Sequence, residues 1–330
     1  MATQDIGVQP TNIADTSRRL SAGLWKDCPF EHFRGRPGEG VFIFEDFERM
    51  PYSLTTNAES NFGLWDAWIG TTGSIGDGLE EGGAAKFDNS GANKACTLSS
   101  RAGSFRFVGA STAYNLNPGR MWMEFRIAVA SIAASQHGVF IGFADSTGSA
   151  ISSSDITIVA ANAVSLTTTK NLFGLFKTAT DASPTGLLTA DWSAVYQPAA
   201  GTAVYPVGLR QLMTTVASAP MVAYAASTDK GHGTGFVKIG MLYDPSGSPP
   251  FQQAPATCPA GQTAGNLYRP VMKFFVNGVP APAFLHAGIL QAAAFPLTSV
   301  YSPVICYQNL AAATAPVYID WVAFAQEASF

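Results

Sequence analysis

Two groups of carboxylates lie close enough in sequence to share a site: Glu45-Asp46-x-Glu48 and Asp77-x-x-Glu80-Glu81. Paired acids of this kind can hydrolyse glycosides, and a retaining enzyme holds its two carboxyls about 5 Å apart, a spacing that alternate residues of one core strand deliver. Neither group sits on such a strand. The first ends an opening strand, Val41 to Glu48, where it gives way to a polar loop, and the second lies in a Gly-rich loop. Carboxylates in such places ordinarily cap turns and face water. His32, His137, His232 and His286 form no His-x-His or His-x-x-x-His pair, so a catalytic or zinc site would have to be assembled from distant strands, and the expectation is hydrogen-bonded structural histidines. Gly231-His232-Gly233-Thr234-Gly235 is rich in glycine but lacks the Lys-Ser/Thr ending and the following helix of a phosphate loop. No Gly-x-Ser-x-Gly elbow occurs. The expectation is a chain with no catalytic residues, no cofactor and no metal.

Binding chemistry has more footholds. Trp65, Asp66 and Trp68, beside the Gly70–Gly83 loop, could form a stacking platform for a sugar, with Asp145 or Asp155 adding oxygen ligands for calcium. Against that, tryptophans also close the core of a sandwich, and no Asp-x-Asp-x-Asp cluster supports a calcium loop. Near the N-terminus, Trp25, Phe30 and Phe33 stand among Lys26, Arg34 and Arg36. Exposed aromatics need a cover. Residues 1–40 therefore read as an extended arm, which either docks onto another molecule or packs back on its own domain. In the first case Trp25, Phe30 and Phe33 are the apolar anchors, and Arg34 and Arg36 pair with acids of the partner.

Composition narrows the partners. Of the 330 residues, 47% are hydrophobic and only 13% are charged, with a net charge of −4. A basic face for nucleic acid is excluded by that balance. Gly and Pro break the chain too often for a stretch of membrane-spanning length, so no membrane partner is expected. Met1 to Pro10 lacks the basic start and apolar centre of a signal peptide, and the expected site of synthesis is the cytoplasm. Cys28, Cys96, Cys258 and Cys306 have no close pair, which argues against a metal knuckle or redox motif and for reduced, mostly buried thiols.

The elements that must position these residues are strands. Met121, Met123, Phe125 and Ile127 alternate on one face and Trp122, Glu124 and Arg126 on the other. Gly138–Asp145 reads as the partner strand, followed by Ile156–Ala160, Asn171–Lys177 and Met221–Ala226. One short helix is expected over Gly208–Val216. Many short strands between Gly, Pro, Ser and Asn turns point to an all-β sandwich. Asp244 to Asn266, with five prolines, is a Pro-rich loop insertion (244–266) between two adjacent strands, and it is expected to reach a neighbouring subunit or a ligand.

Three runs carry a resemblance. Phe236–Asp244 ends in Tyr-Asp, Val271-Met272-Lys273-Phe274-Phe275-Val276-Asn277-Gly278 ends in an Asn-Gly turn signal, and Val317–Phe324 is apolar and aromatic. Together they resemble the closing strands of a concanavalin A-like jelly-roll β-sandwich, the fold of lectins, laminarinase-type glucanases and many virion proteins. The resemblance implies antiparallel strands in a single domain over 41–330. It also implies a test, because laminarinase relatives carry Glu-x-Asp-x-x-Glu on a core strand and this chain does not. With its low charge and aromatic arm the chain looks like head decoration (cement) proteins of tailed bacteriophages. That likeness implies a homo-oligomer, often a trimer, on the capsid exterior, with the major capsid protein and copies of itself as partners. A carbohydrate-binding module for surface glycans and a glycoside hydrolase are the alternatives.

Overall fold

The computed structural model describes residues 17–36, 38–50, 54–55, 59–78, 83–91, 94–101, 105–106, 119–130, 137–145, 151–152, 155–160, 164–178, 192–199, 201, 203–208, 224–226, 233–245, 270–290, 295, 300–310 and 315–328. Their strands are β1 (Gly40–Glu45), β2 (Leu54–Thr55), β3 (Glu59–Phe62), β4 (Trp65–Ile69), β5 (Gly73–Asp77), β6 (Ala85–Asn89), β7 (Lys94–Ser100), β8 (Met121–Val129) and β9 (His137–Asp145). There follow β10 (Ile156–Ala160), β11 (Val164–Thr168), β12 (Leu172–Thr178), β13 (Trp192–Gln197), β14 (Val204–Gly208), β15 (Val237–Asp244), β16 (Val271–Val276), β17 (Val279–Leu285), β18 (Tyr301–Asn309) and β19 (Val317–Glu327). Three short helices complete the set: α1 (Ala22–Trp25), α2 (Phe30–Gly35) and α3 (Ala287–Leu290).

All the described strands except the β10–β11 pair form two antiparallel sheets, the layered sandwich that the resemblance to concanavalin A-like jelly rolls implies. A nine-stranded sheet runs β17-β16-β15-β8-β19-β6-β5-β2, with β1 also on β19, and an eight-stranded sheet runs β14-β13-β12-β9-β18-β7-β4-β3. The main core lies between them. Met121, Met123, Phe125 and Ile127 enter it from β8, as their alternation predicts, and Val139, Ile141 and Phe143 meet them from β9. Ring contacts bridge the two layers, with Phe143 to Phe324 at 5.5 Å and Phe125 to Trp192 at 5.1 Å between centroids.

Both outer faces are covered as well. The β10–β11 hairpin lays Ile156 and Ile158 on Phe140, Phe176 and Val304 of the eight-stranded sheet. Gly138 makes room for it, since a Cβ there would lie 2.7 Å from Ile158 Cγ2. On the nine-stranded sheet the cover is the N-terminal segment. Leu24, Trp25, Cys28 and Phe33 are buried with Trp122, Phe275 and Trp321 of that sheet. Of the two dispositions open to the arm, residues 17–36 take the second and pack back on their own domain. Residues 1–16 lie outside the described residues.

Particular sequence expectations meet the structure as follows. Asn277 and Gly278 both have positive φ, 49° and 78°, the conformation that a tight Asn-Gly hairpin between β16 and β17 needs. The Gly70–Gly83 stretch is not one loop, because it contains β5, where the missing side chain of Gly73 admits the Cys96 sulfur; a Cβ would lie 2.6 Å from it. Of the expected 221–226 strand, residues 224–226 are described, and Ala225 bridges to Thr234. The Pro-rich insertion, the 208–216 helix beyond Gly208, His232 and Cys258 lie outside the described residues.

Candidate functional site

The outer face of the nine-stranded sheet holds a cluster of buried charged side chains. Alternation on β8 sends Trp122, Glu124 and Arg126 to this face. β15 places Lys238 opposite Arg126 and Gly240 opposite Glu124. On the other side, β19 pairs Trp321 with Arg126, and its register shifts between Ile319 and Trp321, leaving Asp320 as the extra residue of a bulge. Glu124, Lys238 and Asp320 are fully buried. Charges this deep are tolerated only when paired and hydrogen-bonded.

The N-terminal segment supplies the partners. Asp320 holds Arg126 Nη1 at 2.5 Å from its own sheet and Arg18 Nη2 at 2.5 Å from the segment. Glu124 Oε2 accepts the Ser21 amide at 2.9 Å and the Trp25 indole Nε1 at 2.8 Å. Lys238 Nζ donates to the Arg19 carbonyl at 3.0 Å. The Arg126 guanidinium also lies 4.3 Å over the Phe236 ring. Burial pushes the Glu124 carboxyl above its usual range, against the Ser21, Lys238 and Trp25 groups that favour the ionised form. The fit is incomplete: Glu124 Oε1, Trp122 Nε1 and Trp321 Nε1 have no hydrogen-bond partner among the described residues. Each orphaned buried group costs about 1–3 kcal/mol.

The anchors proposed for an arm that docks elsewhere therefore divide. Trp25 and Phe33 are buried in this chain's own fold and cannot serve as anchors for another molecule. Phe30 is half-buried and packs on Phe42 with centroids 5.6 Å apart. Arg34 and Arg36 are exposed, and Arg36 pairs with Glu39 at 3.0 Å. Phe44 of β1, 42% exposed, lies over Trp321.

The proposed sugar platform is dispersed by strand alternation. Trp65, Ala67 and Ile69 point into the core, where Trp65 stacks near Phe47 and donates to Glu45 Oε2 at 3.3 Å. Trp68 is on the opposite face of β4, half-buried, and Asp66 is ion-paired with Arg101. These three residues offer no shared stacking surface. Asp145 accepts from Asn171 Nδ2 at 3.0 Å, while Asp155 accepts from Ser152 and Thr169 at the mouth of the β10–β11 hairpin. Among the described residues no three potential ligands gather as a metal site.

The opening carboxylates act as turn caps: Glu45 accepts the Phe47 amide at 3.0 Å and Asp46 the Glu48 amide at 3.2 Å. His286 likewise accepts the Gly288 amide at 3.1 Å. His137 is fully buried, and burial with the nearby Lys177 pulls its pKa down to about 3. Cys28, Cys96 and Cys306 are buried free thiols, each pushed up to about 12 chiefly by burial. Sequence reasoning placed Trp122, Glu124 and Arg126 on one face without assigning them a role. The available signal was two charges inside an otherwise apolar strand.

No protein-family profile matches this chain, and no curated protein sequence is similar to it. Solved structures are. The potassium-bound carbohydrate recognition domain of Emp46p is 11% identical over 83% of this chain and 95% of that one, with a TM-score of 0.42. Peanut lectin is 10% identical over 87% and 97%, with a TM-score of 0.44. An endo-1,3-β-glucanase from Streptomyces sioyaensis is 11% identical over 89% and 98%, with a TM-score of 0.42. At such identities, and with TM-scores below 0.5, the likeness carries no argument about this chain.

Proposed function

We propose that this chain is a non-enzymatic structural protein of a tailed-phage virion, made in the host cytoplasm and carried as a homo-oligomer on the capsid exterior, where it contacts the major capsid protein. The observation that carries the reading is the use of the buried charges: Glu124, Lys238 and Asp320 are engaged by the chain's own residues 18–25. Glu45 and Asp46 cap a turn, Asp155 closes a hairpin, and Asp66 and Asp320 are ion-paired, which is the work of a scaffold. Low overall charge favours many repeated contacts with a shell, because each unpaired charge buried there would cost several kcal/mol.

The contact surface most suited to a shell is the exposed edge of the covered face. Phe44 and the half-buried Phe42 lie on one face of β1, Phe30 packs on Phe42, and Arg34 and Arg36 are exposed at the end of α2. Aromatic and arginine residues are the side chains that dominate interface energies. Deleting residues 1–36 would remove Trp25 and Phe33 from the fold and uncover Glu124, so truncation is a test of stability and not of docking. The docking test is Phe44→Ser combined with Arg34→Glu, assayed by co-sedimentation with empty shells of the encoding phage. Loss of binding in a variant that melts like the parent supports the surface; unchanged binding removes it.

A further inference from the structure

β1 is an edge strand with one side of its backbone open. It pairs antiparallel with β19, and no other described strand pairs with it. Just before it the Ala328 amide donates to the Glu39 carbonyl at 2.8 Å, while the Glu327 amide turns the other way, to the Arg120 carbonyl beside β8. Hydrogen bonds alternate along an antiparallel strand, so Val41, Ile43 and Glu45 are the residues that exchange bonds with Gln326, Phe324 and Val322. Gly40, Phe42 and Phe44 turn their amides and carbonyls away from β19, and among the described residues no backbone group bonds to them.

The strands that end the two sheets are guarded. β17 carries Pro280 and Pro282, β14 carries Pro206, β2 has two residues, and β3 has four, three of them polar. Proline, shortness and polar side chains are devices that keep an edge from pairing. β1 has six residues with neither proline nor lysine, and its one charge, Glu45, is turned to the Phe47 amide and the Trp65 indole. Val41 and Ile43 pack on the core. On the outer face Phe44, over Trp321, is one of two large apolar side chains, with Leu64, that the described residues leave exposed.

A second β1 fits this edge. About a two-fold axis the open residues meet in two registers. Centred on Phe42, Glu39 and Glu45 of the two copies oppose each other as like charges. Centred on Ile43, Phe42 of each copy lies opposite Phe44 of the other, so that each exposed ring gains an aromatic neighbour and each pair exchanges both backbone hydrogen bonds.

We propose that β1 is the edge by which this chain associates with itself: two copies pair their β1 strands antiparallel about a two-fold axis at Ile43, joining their nine-stranded sheets into one continuous sheet with Phe42 and Phe44 of both copies on its outer face. This names the contact behind the homo-oligomer of the proposed function. It is tested on the chain alone, so its failure leaves the virion reading to other contacts, and failure of the virion reading leaves the pairing standing.

The test measures mass by light scattering and residue-resolved amide hydrogen exchange on the full chain over a dilution series. The chain is expected to reach twice its monomer mass at high concentration. There the Phe42 and Phe44 amides should exchange at least tenfold more slowly than after dilution to monomer, while the Ile43 amide, already held by β19, should not change. Phe44→Pro removes one outward amide and leaves every bond to β19 in place, so it should yield a monomer that keeps the parent's exchange protection at Ile43. A chain that stays monomeric at all concentrations overturns the proposal, as does a dimer whose Phe42 and Phe44 amides exchange as fast as in the monomer. The exchange measurement on the parent needs no variant, so it decides the matter even if Phe44→Pro fails to fold.

Discussion

The indole Nε1 of Trp25 donates to Oε2 of Glu124 at 2.8 Å, joining residues 99 positions apart in the chain. This bond makes the N-terminal segment part of the fold, and it satisfies an acid that the segment itself helps to bury. Trp25→Phe keeps most of the buried ring and removes only the donor, so we expect a loss of about 1–3 kcal/mol. Trp25→Ala also removes the ring and should cost about 3–5 kcal/mol. Urea denaturation measures both; a Trp25→Phe chain as stable as the parent would mean that the bond contributes nothing.

Two buried groups give the stability opposite pH slopes. His137 has a folded pKa of about 3 against an ordinary value of 6.5. Its contribution is therefore fully present above pH 6.5 and falls away as the pH drops towards 3. At about 1.4 kcal/mol per unit, the loss is on the order of a few kcal/mol. Glu124 is raised by burial, so its contribution is present below its unfolded value of 4.5 and is lost as the pH rises through the folded one. His137→Phe should flatten the acid limb of a urea-midpoint titration, and Glu124→Gln should gain relative stability with rising pH. Parallel curves for parent and variants would contradict these assignments.

Gly142 and Gly174 face each other across β9 and β12. A Cβ on Gly142 would lie 2.4 Å from the Phe173 carbonyl oxygen and 2.5 Å from Gly174 Cα, and backbone atoms cannot swing away. Gly142→Ala should therefore cost about 1–3 kcal/mol. Gly35→Ala, where a Cβ meets nothing within 4 Å, is the control and should leave thermal stability unchanged. Equal melting temperatures for the two variants would refute the close approach.

Cys28, Cys96 and Cys306 are buried with pKa values of about 12. Since the thiolate is the reactive form, a thiol reagent at pH 8 should label at most one cysteine of the native chain, Cys258, and all four after denaturation. Prompt labelling of two or more in the native state would show that these sites open.

The fold was legible wherever local pattern decides it. The alternation of Met121 to Ile127 and the Asn277-Gly278 turn depend on neighbouring residues, and both took the expected form. β5 was hidden because glycines, which signal loops, are needed there for close packing against Cys96. The candidate sites were less legible. Parity along β4 sends Trp65 inward and Trp68 outward, which no count of aromatics reveals without the register. Glu124 and Arg126 were visible as charges in an apolar strand, but their partners Ser21, Trp25 and Arg18 come from the far end of the chain, and no local spacing encodes that meeting.

The most direct test of the proposed virion role is saturable binding of the full chain to purified empty shells of a tailed phage, followed by co-sedimentation and imaging, with a glycan array run on the same preparation. The account predicts oligomers in regular array on the shell exterior and no glycan affinity. A chain that ignores shells and binds a defined glycan would contradict it.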